Sequence, residues 1–196
     1  AKSAIEHFEN SIRYTEKAQF TLITGVPWIK LGESYGLLGK FENAQEFIEK
    51  GLSIQREAGQ DFDLGHFYGL SSLVYLQSGD LTNAQHHAKK ALEISQDINQ
   101  KWTEGFAWIL LGRIFGKVRK SRFGKAKECI LKGIKILSEL KLKPFCAQGY
   151  QFLGVLYADT GQQDKALGNL KKADEMFREM GMDYWLEKTQ EVLDRL

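Results

Sequence analysis

A chain of 196 residues that is 43% hydrophobic and 27% charged has enough apolar content for a packed core and too little charge to stay disordered. A net charge of +2 excludes a polycation built to coat nucleic acid, and no apolar run approaches the roughly 20 residues of a membrane span. Only Pro27 and Pro144 break the chain, which favours long helices, and no basic-then-apolar leader opens it.

The first predicted helix covers 1–18 and carries Ala4, Phe8 and Ser11. The second, 23–38, places Trp28, Leu31, Gly32 and Tyr35 at i, i+3, i+4 and i+7, one face of a helix. The third, 41–58, carries Ala44, Ile48 and Gly51, forty positions after Ala4, Phe8 and Ser11. The same spacings return forty positions on, in 63–78 (Tyr68, Ser71, Ser72, Tyr75) and 81–98 (Ala84, Ala88, Ala91). Helices 103–117 (Trp108, Leu111, Gly112, Phe115) and 122–140 (Ala126, Ile130, Gly133) repeat it with two more residues between the halves. Helices 145–160 (Tyr150, Leu153, Gly154, Tyr157) and 163–181 (Ala166, Leu170, Ala173) form the last full copy. A final helix over 183–196 is capped by Asp183 and aligns Trp185, Thr189, Val192 or Leu193, and Leu196 on one apolar face.

A large ring needs a small neighbour where two helices approach closely, and Gly32 or Ala44 supplies that space. Between the halves of the copies lie Leu38-Gly39-Lys40, Ser78-Gly79-Asp80 and Thr160-Gly161-Gln162. Glycine there suits the left-handed cap that closes one helix before the next. The pattern resembles the tetratricopeptide repeat family over nearly the whole chain, with a period longer than the family's unit of about 34 residues. The resemblance implies an all-α, right-handed superhelical solenoid of antiparallel helix pairs, about ten helices in all. It would be one domain over 1–196. Residues 1–22 form the second helix of a preceding repeat, 23–62, 63–102, 103–144 and 145–182 are the repeats, and 183–196 is a capping helix. Opening on Ala1 rather than Met, the chain is read as part of a larger protein.

The stretch from Phe177 to Leu186, with Gly154–Tyr157, Gly161 and Lys165–Leu167, resembles the C-terminal end of bacterial multidomain signalling proteins. In those, a class III adenylate/guanylate cyclase or kinase domain and an AAA-type ATPase precede the repeats. The resemblance implies a regulatory or sensor region whose catalytic partners lie in other domains.

Within the family, the first helix of each pair lines the inner surface. The implied partner-binding residues are Ile29, Glu33 and Leu37, then His66, Leu73, Leu76 and Gln77, then Phe106, Ile109, Arg113 and Lys117, and finally Gln148, Gln151, Val155 and Asp159. About half of them are expected to pack against the neighbouring pair instead. Such a face suits an extended or helical peptide. Family members that grip a chaperone's terminal carboxylate use Lys and Asn here. Ile29 and Glu33 do not fit that use.

From Arg113 to Lys127 run seven basic residues with no acid among them: Arg113, Lys117, Arg119, Lys120, Arg122, Lys125 and Lys127. They read either as a solvated loop balanced by nearby acids or as a patch for an acidic partner. A nucleic-acid backbone is the minor alternative, because aromatics for base stacking are sparse. Gly124-Lys125 lacks the spacing and hydroxyl of a phosphate loop. His86 and His87 are adjacent rather than at i, i+4, and are expected on an exposed polar face. Cys129 and Cys146 read as buried inert thiols in a reducing, cytoplasmic setting. No cofactor, metal or catalytic group is expected. The function implied is a protein- or peptide-binding scaffold, whose partner is another polypeptide or another domain of the parent chain.

Overall fold

The computed structural model describes residues 2–18, 24–59, 63–118 and 122–196. These form ten helices with no strand among them. By their contacts they group into two compact units, Ala1–Asn99 and Gln100–Leu196.

The first unit holds α1 (Lys2–Lys17), α2 (Gly25–Leu37), α3 (Phe41–Glu57), α4 (Leu64–Ser78) and α5 (Leu81–Asp97). Packing is densest within the pairs α2–α3 and α4–α5, and α1 lies against α2. The pairs close on small residues. A Cβ on Gly32 would sit 2.6 Å from Ile48 Cγ1 and 2.7 Å from the Ala44 carbonyl oxygen, and one on Gly25 would sit 2.5 Å from the Gly51 oxygen. Residues 25 and 51, and 32 and 44, therefore face each other, so α2 and α3 run antiparallel. In α4 the small residue is Ser72, whose hydroxyl donates to the Ala84 carbonyl at 2.8 Å. The polar atom thus takes a bond at the very place where Gly32 leaves room.

The second unit holds α6 (Lys101–Val118), α7 (Phe123–Glu139), α8 (Lys143–Ala158), α9 (Gln163–Glu179) and α10 (Asp183–Leu193). The same geometry recurs: a Cβ on Gly112 would meet Ile130 Cγ1 at 2.5 Å and the Ala126 oxygen at 2.6 Å, and one on Gly133 would meet the Gly105 oxygen at 2.4 Å. In the last pair Ala147 and Ala173 are fully buried with Phe177, and Tyr150, Met176, Met180, Met182, Trp185 and Leu186 pack round them. Ala44, Ala84, Ala126 and Ala166 are all at zero exposure.

The turns follow the glycine signals, with Gly39, Gly79 and Gly161 at φ of 73°, 87° and 75°. Asn99 and Lys141 take the same left-handed geometry where the sequence has no glycine. Two local expectations are corrected. Asp183 is the first residue of α10, the cap position belongs to Met182, and no side chain caps that end. Helix α8 begins at Lys143, with Pro144 in its first turn, where a missing N–H costs nothing.

α10 starts forty residues after α8 and packs on α9 and α8 as a further first-type helix would. At the positions matching the small residues Ala147 and Gly154, however, it carries Glu187 and Asp194. Those side chains leave no room for an approach as close as that of α9 to α8.

Candidate partner-binding face

The first-type helices are buried nearly all round, whereas the second-type helices bury a single stripe. This decides which expected surface residues remain surface. Ile29, Phe106, Ile109, Gln148 and Gln151 are buried and are removed from the partner-binding set. Ile29 fills the space over Gly51, and Ile109 lies between Gly133 and Gly149, on α7 and α8. The Phe106 ring packs on Phe145 at 5.2 Å. The Gln151 amide donates to Thr189 Oγ1 of α10 at 3.0 Å. The packing stripe of a first-type helix is wider than one i, i+3, i+4, i+7 face, because the helix touches its own partner and the flanking first-type helices.

In the second unit, four of the expected residues come together. Arg113 and Lys117 of α6 and Val155 and Asp159 of α8 line one small cleft of about 10 Å³, over the buried Phe152 and Leu156. Gly116 sets its width, because a Cβ there would meet Leu156 Cδ1 at 2.8 Å. The half-buried Arg113 guanidinium lies 4.5 Å from the Phe152 ring centroid, a cation–π contact. Burial lowers its pKa to about 10, partly offset by the Asp159 carboxylate. It stays charged at neutral pH but is poorly hydrated. Among the described residues no carboxylate lies within 4.0 Å of it. Lys117 is exposed, one turn further on.

In the first unit, Leu37 is exposed, Gln77 is exposed, and Leu73 and Leu76 are half-buried. Glu33 is taken up by Lys30 at 3.0 Å. Half-buried His66 has its pKa lowered to about 4 by burial and by the Lys30 charge, so its ring is neutral. This face is thus more apolar and less charged than the cleft of the second unit.

The tetratricopeptide repeat family model matches residues 27–57 and 65–98. Over these two stretches the chain carries tetratricopeptide repeats. It is 25% identical over 171 residues to response regulator aspartate phosphatase A of Bacillus subtilis (strain 168), covering 86% of this chain and 43% of that protein. The chain therefore spans less than half the length of the curated relative it matches. Among solved structures it resembles aspartyl phosphate phosphatase F of Bacillus subtilis, with a TM-score of 0.73 and 17% identity over 96% of this chain and 49% of that one. It also resembles a Signal Transduction ATPase with Numerous Domains with a tetratricopeptide repeat sensor, from Pyrococcus horikoshii. There the TM-score is 0.67, with 18% identity over 93% of this chain and 28% of that one. At these identities the structural likeness establishes the fold. A repeat of this kind is a protein-interaction scaffold.

The basic run of this repeat protein is not a set of paired surface charges. Arg119 and Lys120 lie outside the described residues. Arg122 and Lys125 sit over the Phe115 ring at 5.8 and 4.9 Å. Of Arg113, Lys117, Arg122, Lys125 and Lys127, none makes an ion pair among the described residues, although six Lys or Arg ion pairs form elsewhere among them.

Two contributors were missed in the sequence. Phe152 and Leu156 were not singled out in the sequence, yet they lie beneath the cleft; only the turn-by-turn approach of α8 to α6 reveals this. The other is a lysine ladder: Lys50 lies 3.6 Å from the Trp28 centroid, Lys132 3.9 Å from Trp108 and Lys172 3.9 Å from Tyr150. That signal was available, since each lysine follows its ring at a near-constant spacing. Lys90 holds the same place after Tyr68 but bonds Glu93 at 2.8 Å.

His87 is also corrected. His86 is exposed as expected, but His87 is buried against Tyr68 and Tyr75, with Nε2 3.5 Å from a Glu49 oxygen that also accepts from Tyr75 Oη. Burial lowers its pKa to about 4, helped by His86 and Arg56. Cys129 and Cys146 are buried free thiols, their pKa values raised chiefly by burial. No cluster of three or more His, Cys, Asp or Glu suited to a metal occurs among the described residues. Nor is any helix among them long and apolar enough to cross a membrane.

Proposed function

We propose that this chain is the regulatory or sensor repeat region of a larger signalling protein, and that it works by holding a polypeptide segment on the face of its first-type helices. The observation that carries the reading is the first-type helix face at α6 and α8, where the half-exposed Val155 adjoins a partly desolvated cation with no ion-pair partner among the described residues. Apolar surface supplies affinity by leaving water, and fixed charges supply orientation and encounter rate. The segment belongs either to a separate protein or to another domain of the parent chain.

Three things support the signalling context. The curated relative is named as a phosphatase of response regulators, and one structural neighbour as a signal-transduction ATPase with a repeat sensor. The chain matches under half of each of these proteins. The Phe177–Leu186 tail resembles the ends of cyclase– or kinase–ATPase proteins. In this reading any catalysis belongs to other domains, and the setting is the cytoplasm. The test is the full-length gene product that carries residues 1–196. A nucleotide-binding or cyclase motif in the same polypeptide is expected. Repeats joined only to a non-signalling enzyme would overturn the signalling reading.

A further inference from the structure

We propose that His87 is an acid-sensitive latch of the first unit: on protonation its ring leaves the slot against Tyr68 and Tyr75, and α5 loosens from α3 and α4.

The slot is built for a ring and not for a charge. The preceding repeat shows this at the matching positions, forty residues upstream. There Phe47 packs on Trp28 and Tyr35, with ring centroids 5.6 and 5.2 Å apart. His87 packs on Tyr68 and Tyr75 in the same way, at 5.4 and 5.0 Å. A phenyl thus serves where the imidazole stands, and the imidazole adds only its nitrogens. Nδ1 is buried with no hydrogen-bond partner, and Nε2 faces Glu49 of α3 at 3.5 Å. A second proton would put a charge in an apolar slot, and a donor on Nδ1 with nothing to accept it.

The groups around the ring come from three helices. Arg56 of α3 and His86 of α5 oppose a proton there, and Asp80 at the cap of α5 favours one. Glu49 favours one too, but its carboxylate is 43% exposed and screened by water, and the oxygen nearest His87 already accepts from Tyr75 Oη at 3.1 Å. Of the two α4 phenols, Tyr75 is kept neutral, its pKa raised to about 12 by burial and by Glu49. Burial therefore decides, and the closed ring stays neutral, its pKa lowered from 6.5 to about 4. Once α5 loosens, the ring regains water and its ordinary affinity for a proton. Opening is unaided above pH 6.5, and becomes about tenfold easier for each pH unit from there down to about 4.

The experiment is amide hydrogen exchange of the full chain, followed by mass spectrometry and corrected for the intrinsic rate. It compares about pH 7.5 with about pH 5.5, where ordinary carboxylates stay ionised. Protection of α5 should fall about tenfold in the wild type. It should hold steady in His87→Phe, which keeps the ring contacts that Phe47 makes, and in His87→Gln, with circular dichroism verifying both folds. His66→Gln should leave the fall in place. An α5 whose protection is unchanged at the lower pH would overturn the proposal, as would equal falls in the wild type and both His87 variants. A fall abolished by His66→Gln would assign the effect to the other buried histidine. Stronger protection at the lower pH would also overturn it, because protonated His87 would then be locking the α3–α5 seam through Glu49.

Discussion

At the residue scale, the fold depends on a few positions where no Cβ fits. Gly112→Ala would drive a methyl to within 2.6 Å of the Ala126 carbonyl oxygen, a backbone atom that cannot turn aside. We expect a loss of about 1–3 kcal/mol in chemical denaturation. Gly168→Ala makes the opposite case. Gly168 is exposed within α9 and a Cβ there meets nothing within 4 Å, so the variant should gain about 0.5–1 kcal/mol. Equal effects for the two would contradict the close-approach account. His66 and His87 set a pH dependence. Both pKa values fall from 6.5 to about 4, chiefly through burial, so their contribution is complete above pH 6.5 and is lost as pH falls towards 4. NMR titration of the two rings should give midpoints near 4, and the His66→Gln/His87→Gln double variant should lose less stability than the wild type across that window. Midpoints near 6.5 would contradict the burial described for these rings.

At the element scale, the helices and their register were legible because close packing demands small residues at fixed intervals. Gly32, Ser72, Gly112 and Gly154 announce the crossings, and Gly39, Gly79 and Gly161 announce the turns. Ala166→Leu should therefore overpack α9 against α8 and cost about 1–3 kcal/mol; an unchanged melting temperature would mean the register is wrong. Caps were less legible. Among the corresponding second-type helices, Asp80 accepts from the Asn83 amide at 3.0 Å, whereas Lys40 and Gln162 make no side-chain cap bond. Asp80→Ala should cost about 1 kcal/mol, and Lys40→Ala close to nothing. The binding face was legible only in part. The expected residues were chosen by angle along a single helix, and Arg113, Lys117, Val155 and Asp159 do share a cleft. Ile29, Phe106, Ile109, Gln148 and Gln151 were lost to packing because each first-type helix is enclosed by more than one neighbour. A helical wheel contains no information about the next helix in the stack. Phe106→Ala, which an anchor role would make a binding variant, should instead behave as a core deletion costing about 3–5 kcal/mol.

At the scale of the whole molecule, the sequence reads as one continuous array, yet the contacts resolve into two compact units with the divide between Asn99 and Gln100. Repeat proteins hold together through neighbour contacts, so a unit with its own core can stand alone. Residues 100–196 should form a helical fragment with cooperative thermal unfolding; a fragment without helical signal would contradict the independence of that unit. The central claim is that this repeat array binds a polypeptide on first-type helices, at the cleft of the second unit. Backbone amide chemical-shift mapping of the full chain, on titration with the tightest peptide selected on it from a phage-displayed random-peptide library, tests it most directly. The account predicts that the shifts concentrate at Arg113, Gly116, Lys117, Phe152, Val155 and Asp159, with the exposed faces of α7 and α9 unmoved. Shifts centred on the exposed faces of those second-type helices, with the cleft residues silent, would contradict it.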